Sequence, residues 1–430
     1  MSNAGKLVLN ALRGAADEVI DPLESFLRPA GSDPRYRGAA PNRTTSYERY
    51  VPKKLPARMS RLQAALEDEA SPLMAQISEY VEKGKALDGP DWYNTEELRD
   101  WFIGVHGAEE GDKRWREFGN LVGTTSTGSK VPPNIRNASF YMALSPEDRV
   151  RVGTAVAQGG GTPAAVAEQL GIRVPNMPDN YKYGHKMQRN QGSNVVKYET
   201  GEWSPDVPDS LTGAARSKRL KDNNKTKGFG NDLLGDDKNI AADKHFMRIL
   251  AMNDGGGDFL SRQAQLSAEN FAVAERAIGP RNIKKYVSTR MVNGKPVREV
   301  NLRKAWEDGK LKDPSVFQGK PTAWDDVPST SGNEYAELER LAGVVAERFD
   351  MTPAQFQASL WMGAGDVTGL ADESQGTFMQ LLRGAINKRA AERGIEPKDM
   401  LMDFIKNRAV LSAPFAIPVA SGAMRERGPR

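Results

Sequence analysis

Apolar residues recur at helical spacing in several separate stretches of this chain. Leu73, Ile77, Tyr80 and Val81 define one helix, with Ser71-Pro72 as its start. Leu338, Leu341, Val345 and Phe349 form the apolar face of a second, predicted over Tyr335 to Phe349. Other helices are announced by their first turns. Ser145-Pro146-Glu147-Asp148 supplies a capping hydroxyl, a first-turn proline and early acids, and Thr162-Pro163 repeats the device after Gly159-Gly160-Gly161. The spacing therefore predicts helices over 145–158 and 162–170, a helix–turn–helix pair that fits either DNA reading or ordinary helical packing. Thr352-Pro353 with Gln355 closes a capping box. Phe378 to Lys406 adds one or two helices, and 5–27 a short one carrying Leu7, Leu9, Leu12 and Ile20. The one clear strand signal runs from Val287 to Leu302, where Asn293-Gly294 between alternating segments asks for a tight hairpin turn. Pro175 to Ser210 and Pro314 to Ser331 lack periodicity and read as irregular.

These patterns predict a mainly α protein: a helical body, one small β-hairpin, and extended arms at both ends. The organisation expected is an N-terminal helix and extended basic arm over 1–58, a helical domain over 59–270, an irregular insertion with the hairpin over 271–334, C-terminal helices completing the body over 335–408, and an extended tail over 409–430. The arm from Arg28 to Pro56 is rich in Pro, Arg, Tyr and Gly, a composition that does not bury enough surface to fold alone. The tail from Ala409 is apolar and proline-broken, suited to docking on a neighbouring surface or on its own domain.

The chain has no cysteine, so disulfides and thiolate metal sites are excluded. No stretch approaches the roughly 18 apolar residues of a membrane span, and no membrane partner is expected. The formal charge of +4 conceals two basic stretches, net +7 over 28–61 and net +5 over 182–227, against a remainder that is net acidic. Lys182, Lys186, Arg189, Lys197, Arg216, Lys218, Arg219 and Lys221 are the candidate phosphate contacts of the second stretch, with Tyr181, Tyr183, Tyr198 and Trp203 available to stack on bases. Solvated loops, or a loop pinned to its own domain by those aromatics, are the competing reading. His106, His185 and His245 are too scattered for a metal triad, Asp254 to Asp258 lacks the oxygen ligands that calcium needs, and neither metal nor cofactor is expected.

One stretch carries candidate chemistry. KTKGFGNDLLGDDKNIAADKHFMR, from Lys225 to Arg248, sets a lysine and an aspartate, Lys225 and Asp243, eighteen positions apart with a helix-like segment between. A lysine amine can attack a sugar C1′ and form a Schiff base, while a carboxylate stabilises the positive charge developing there. Asp243 would equally serve as an N-cap for the segment that follows, and Lys225 lies among other lysines on what reads as a polar loop. The spacing resembles the helix–hairpin–helix DNA glycosylase superfamily. WREFGNLVGTTSTGSKVPPNIRNASFYMA, from Trp115 to Ala143, looks like that superfamily's opening helix pair, and TPAQFQASLW, from Thr352 to Trp361, resembles the ending of glycosylase-like domains in phage-encoded proteins.

The resemblance implies a glycosylase-like helical body over about 115–370, with Lys225 at the place of the family's nucleophile and Asp243 at that of its essential aspartate. The chain also departs from the family. Leu220 to Asn224 contains no glycine where a glycine-rich hairpin is usual, Thr124-Thr125-Ser126 stands where a glutamine wedge is common, and Ala242 replaces a valine. These losses suit a scaffold better than an enzyme. The resulting expectation is a bacteriophage virion-associated structural or internal protein, made in the host bacterial cytoplasm. It would bind other virion proteins or itself, and phage DNA through its basic stretches. The alternatives are an active DNA glycosylase or abasic-site lyase using Lys225 and Asp243, and a DNA-binding module without catalysis.

Overall fold

The structure is a computed structural model describing residues 57–174, 177, 187–202, 224–235, 240–242, 246, 249–250, 264–265, 268–292, 295–301, 304–305, 308–311, 332–365 and 376–412. The fold is mainly α. The helices are α1 (Ala57–Glu67), α2 (Pro72–Lys85), α3 (Glu96–His106), α4 (Ala108–Thr125), α5 (Val131–Met142), α6 (Pro146–Gly159), α7 (Pro163–Gln169), α8 (Arg189–Glu199), α9 (Asn224–Leu233), α10 (Ala268–Ile278), α11 (Gly332–Glu347), α12 (Pro353–Gly363), α13 (Phe378–Arg393) and α14 (Pro397–Asn407). The local signals explain several of their starts. Ser71 Oγ accepts from Met74 N at 3.1 Å and Ser145 Oγ from Asp148 N at 3.1 Å, while Thr352 with Gln355 and Thr377 with Gln380 form reciprocal capping boxes.

A small antiparallel sheet has strand order β1 (Ala264–Gln265), β3 (Lys295–Val300), β2 (Val287–Val292). The register pairs Val292 with Lys295, so the hairpin connection is the two-residue 293–294 that its sequence asks for. Asn293 and Gly294 themselves lie outside the described residues.

Two apolar cores organise these elements. The first lies among α3 to α9, α13 and α14, with Trp101, Phe102, Phe118, Tyr141, Phe378 and Phe404 buried in it. The second gathers Met59, Leu62, Ile77, Phe246, Leu341 and Val345 with Ile283, Tyr286 and Val300 at the foot of the hairpin. Helix α12 is their common wall: Ala354 and Ala358 belong to the first core, Phe356 and Leu360 to the second. A helix with apolar residues on more than one side is stable when packed on more than one side, which this placement achieves. Its contact with α2 is backbone to backbone, since a Cβ on Gly363 would lie 1.8 Å from Tyr80 O and one on Gly84 1.9 Å from Ser359 O.

Several expectations change. Helix α8 lies inside the stretch read as irregular, because Gln191 and Asn194 are polar residues in buried positions and Gly192 carries no apolar side chain, which erases the periodicity. Helix α10 runs through the expected boundary at 270 and 271, held by Ala274 and Ile278 in the second core. The tail begins by folding back: Ala409, Val410 and Leu411 are buried in the first core, and Leu411 N donates to Ser139 Oγ at 2.9 Å. The arm over 1–56 and the remainder of the tail, 413–430, lie outside the described residues. Among the described residues no helix is long and apolar enough to cross a membrane.

Candidate functional site

Lys225 sits in the first turn of α9 rather than on a loop. Phe229 anchors that helix against Trp92 and Tyr93, with ring centroids 5.8 Å from each. Lys227, two residues on, is buried together with Thr226 and Asp232, so the basic run turns inward where its sequence reads as solvated. On its other side α9 meets the segment Ile240 to Ala242, which leads directly to Asp243. A Cβ on Gly228 would stand 2.8 Å from Ile240 O, so the approach needs glycine.

That segment is held by side chains from α11 and α12. Ala241 N donates to Gln357 Oε1 at 2.7 Å, and Gln357 Nε2 donates back to Ala241 O at 2.8 Å. Tyr335 donates its hydroxyl proton to Ile240 O at 2.7 Å while accepting from Ala242 N at 3.1 Å. Gln357 is wholly buried, so its two hydrogen bonds form away from water, where leaving one unmade is costly. Gln357 belongs to the TPAQFQASLW block and Ala241 to the Lys225–Arg248 block: the two sequence signatures meet here.

The position matched to the family's wedge is internal. Thr124, Thr125 and Ser126 are buried at the C-terminal end of α4. The Thr125 hydroxyl lies 2.7 Å from Leu121 O and 2.6 Å from Asn134 Oδ1. The carbonyls that a helix end leaves unpaired are met from α8, by Gln191 Nε2 on Thr125 O at 2.5 Å and Asn194 Nδ2 on Thr124 O at 3.3 Å. Thr124-Thr125-Ser126 therefore closes a helix and is not presented to a duplex. Gln191 and Asn194 were not among the expected functional residues; the signal that finds them is Gln188-x-x-Gln191, which forms a reciprocal capping box at the start of α8.

Of the expected phosphate contacts, Arg189 is exposed at the start of α8 and Lys197 is half-buried towards its end. Lys182, Lys186, Arg216, Lys218, Arg219 and Lys221 lie outside the described residues, as do Asp243 and the side chain of Lys225. Tyr198 is half-buried against the first core, where burial and the negative charges of Glu117 and Glu199 push its phenol up to about 12. In the α6–α7 pair, Pro163, Ala164, Val166 and Ala167 of the short second helix are buried, and Glu168 and Gln169 are its exposed residues.

The strongest charged arrangement is a buried knot around Arg149. Its guanidinium bonds Glu117, Glu199 Oε1 at 3.0 Å and Tyr141 O at 2.6 Å, and Arg408 reaches the same Glu117 at 3.1 Å. Burial works against the guanidinium's charge, but the two carboxylates outweigh it and leave the pKa above its ordinary value. The knot ties α4, the end of α5, α6, α8 and the residue after α14 to one another. A second buried pair, Arg383 with Glu97, ties α13 to α3.

No protein-family model, curated protein or solved structure matches the chain. Its own residues and the resemblance they carry are therefore the grounds for any functional reading. Among the described residues no cluster of His, Asp and Glu is placed to hold a metal ion. A void of about 10 Å³ in the second core is lined by apolar side chains including Leu66, Ile77 and Phe356; its lining offers no polar partner to a ligand.

Proposed function

We propose that this chain is a structural protein of a bacteriophage particle, a glycosylase-like helical scaffold that assembles with other virion proteins or with itself. The phage link is supported by the resemblance of the TPAQFQASLW and KGFGNDLLGDDKNIAADKH blocks to phage-encoded glycosylase-like domains. The observation that carries the scaffold reading is the joint at Ala241, where Gln357 engages both the N–H and the C=O of one residue in fixing backbone. The buried Thr124-Thr125-Ser126 turn supports it further, because an interior helix end has nothing to insert into a base stack. Quantitative mass spectrometry of washed, gradient-purified particles tests the assignment. A fixed copy number per particle is expected, and absence from the particles overturns it.

A lyase reading has one observation in its favour. Gly228 lies one turn beyond Lys225 on the same side of α9, and it abuts the segment leading to Asp243. In that reading the Lys225 amine adds to C1′ of an abasic site, water leaves, and borohydride reduces the resulting Schiff base to a stable amine. Trapping on abasic and damaged-base duplexes decides between the two. An adduct that vanishes in Lys225→Ala establishes the lyase; no adduct leaves the scaffold without it.

A further inference from the structure

We propose that the β2–β3 hairpin and the turn before it form a docking surface for duplex DNA. From Arg276 to Lys304 the chain carries nine Lys/Arg against a single acid, Glu299. This is a denser positive stretch than either of the two that stand out in the linear sequence. Arg276, Arg281, Lys284, Lys285, Arg298 and Lys304 are all exposed.

The local fold explains why they face outward. Ile283 and Tyr286 are buried in the second core on either side of Lys284 and Lys285, so the short 3₁₀ turn Ile283–Lys285 is pinned with its two lysines in solvent. Tyr286 is fixed in turn by its hydroxyl on Asp308 Oδ2 at 2.9 Å and by Asn301 N on its carbonyl at 2.8 Å. Arg298 lies 4.4 Å over the Phe271 ring, which settles the hairpin on α10. The outer end is apolar. Met291 is 64% exposed and pairs across the strands with the exposed Pro296, next to the two-residue turn.

Charge complementarity selects the partner. Arg276, Arg281, Lys284 and Lys285 make no ion pair among the described residues, and Lys304 has only an exposed contact of 3.6 Å with Asp308. Some cations elsewhere on the surface are answered by carboxylates, as in Arg99–Asp112 and Arg114–Glu110, whereas here four of them, close together in the chain, are not. A dense group of exposed, unanswered cations suits the closely spaced phosphates of a duplex. A two-stranded ribbon is of a size to enter a DNA groove, and methionine and proline are side chains that wedge against base steps. The assignment is therefore phosphate contacts by the turn and ribbon cations, with Met291 and Pro296 in the groove. It is independent of the particle assignment: particle association can fail while duplex binding holds, and the reverse.

Fluorescence anisotropy of the full chain with a labelled duplex of about 30 base pairs, over 50–250 mM KCl, tests the inference. Log affinity should fall linearly with log salt. Lys284→Ala/Lys285→Ala should flatten that slope by about 2, at about 0.9 for each phosphate no longer neutralised. Lys284→Glu/Lys285→Glu should weaken binding at least tenfold. Met291→Ser should lower affinity several-fold with the slope unchanged. Circular dichroism and the unfolding midpoint of each variant establish that it is folded. No duplex binding at 50 mM salt overturns the proposal. So does an unchanged slope in the double alanine variant, which would move the phosphate contacts to the stretch around Arg189. Preference for anionic lipid vesicles over duplex would overturn it in favour of a membrane surface.

Discussion

Two groups of basic residues in this molecule are treated in opposite ways. Around Arg149 the positive charge is taken inside and answered by Glu117, Glu199 and two backbone carbonyls. Just before the hairpin, at the end of α10 and in the turn that follows it, Arg276, Arg281, Lys284 and Lys285 are exposed and answered by no carboxylate among the described residues. The residue types are similar, and what differs is whether the fold supplies the counter-charge. A buried cation needs its partners within the same molecule, or desolvation expels it. A cation that the fold holds rigid yet leaves unanswered costs the protein only mutual repulsion, and it remains available to a partner. The knot therefore reports on how the body is built, and the hairpin on what the body meets.

The comparison is broken most forcefully from the inside. Arg149→Met strips Glu117 and Glu199 of their shared partner in a nearly dry site. It should lower the unfolding free energy by about 3–5 kcal/mol, read as a shift of the urea midpoint at constant slope. Lys284→Ala/Lys285→Ala should change it by about 0.5 kcal/mol or less, since neither ammonium has an ion pair among the described residues. Similar destabilisation by the two variants would mean that the hairpin lysines are structural after all. Gln357→Leu falls between. It keeps the volume but leaves Ala241 N–H and C=O buried without partners, at about 1–3 kcal/mol for each unmet group, so a total of about 2–4 kcal/mol is expected in the same titration. Native-state hydrogen exchange should then show the Ala241 amide losing its protection. Retained protection would mean that Gln357 does not hold the segment.

What the sequence discloses follows the range of the interaction. Caps at Ser71, Ser145 and Thr352, and the hairpin turn, depend on neighbours a few residues away, and the helices and strands they announce are present. Helix α8 is hidden because its buried side includes Gln191, Gly192 and Asn194, whose value lies in closing the end of α4 more than sixty residues earlier. The same holds for Gln357, legible as part of a motif but not as the clamp on Ala241, 116 residues away. The basic hairpin escapes notice for a different reason. Charge summed over the remainder of the chain is net acidic, and that average hides a local excess whose cations the fold leaves exposed. Lys227 is the converse case: it lies in a basic run yet is buried.

The smallest expected effect sharpens the electrostatic side of the comparison. Tyr198 sits beside the knot, where burial and the negative charges of Glu117 and Glu199 disfavour its phenolate more than Arg149 favours it. Its pKa is pushed up from an ordinary 10.0 to about 12. The unfolded chain would release this proton near pH 10 and the folded protein only near pH 12, so the contribution to stability is intact below pH 10 and is lost as pH rises through that window. A spectrophotometric titration near 295 nm should contain one late-ionising component that disappears in Tyr198→Phe, and the variant should lose less stability between pH 10 and 12 than the parent does. If Tyr198 instead ionised at its ordinary pKa, the site beside the knot would have to be open to water, and the counter-charge answering Arg149 would act in a solvated setting and not in a nearly dry one.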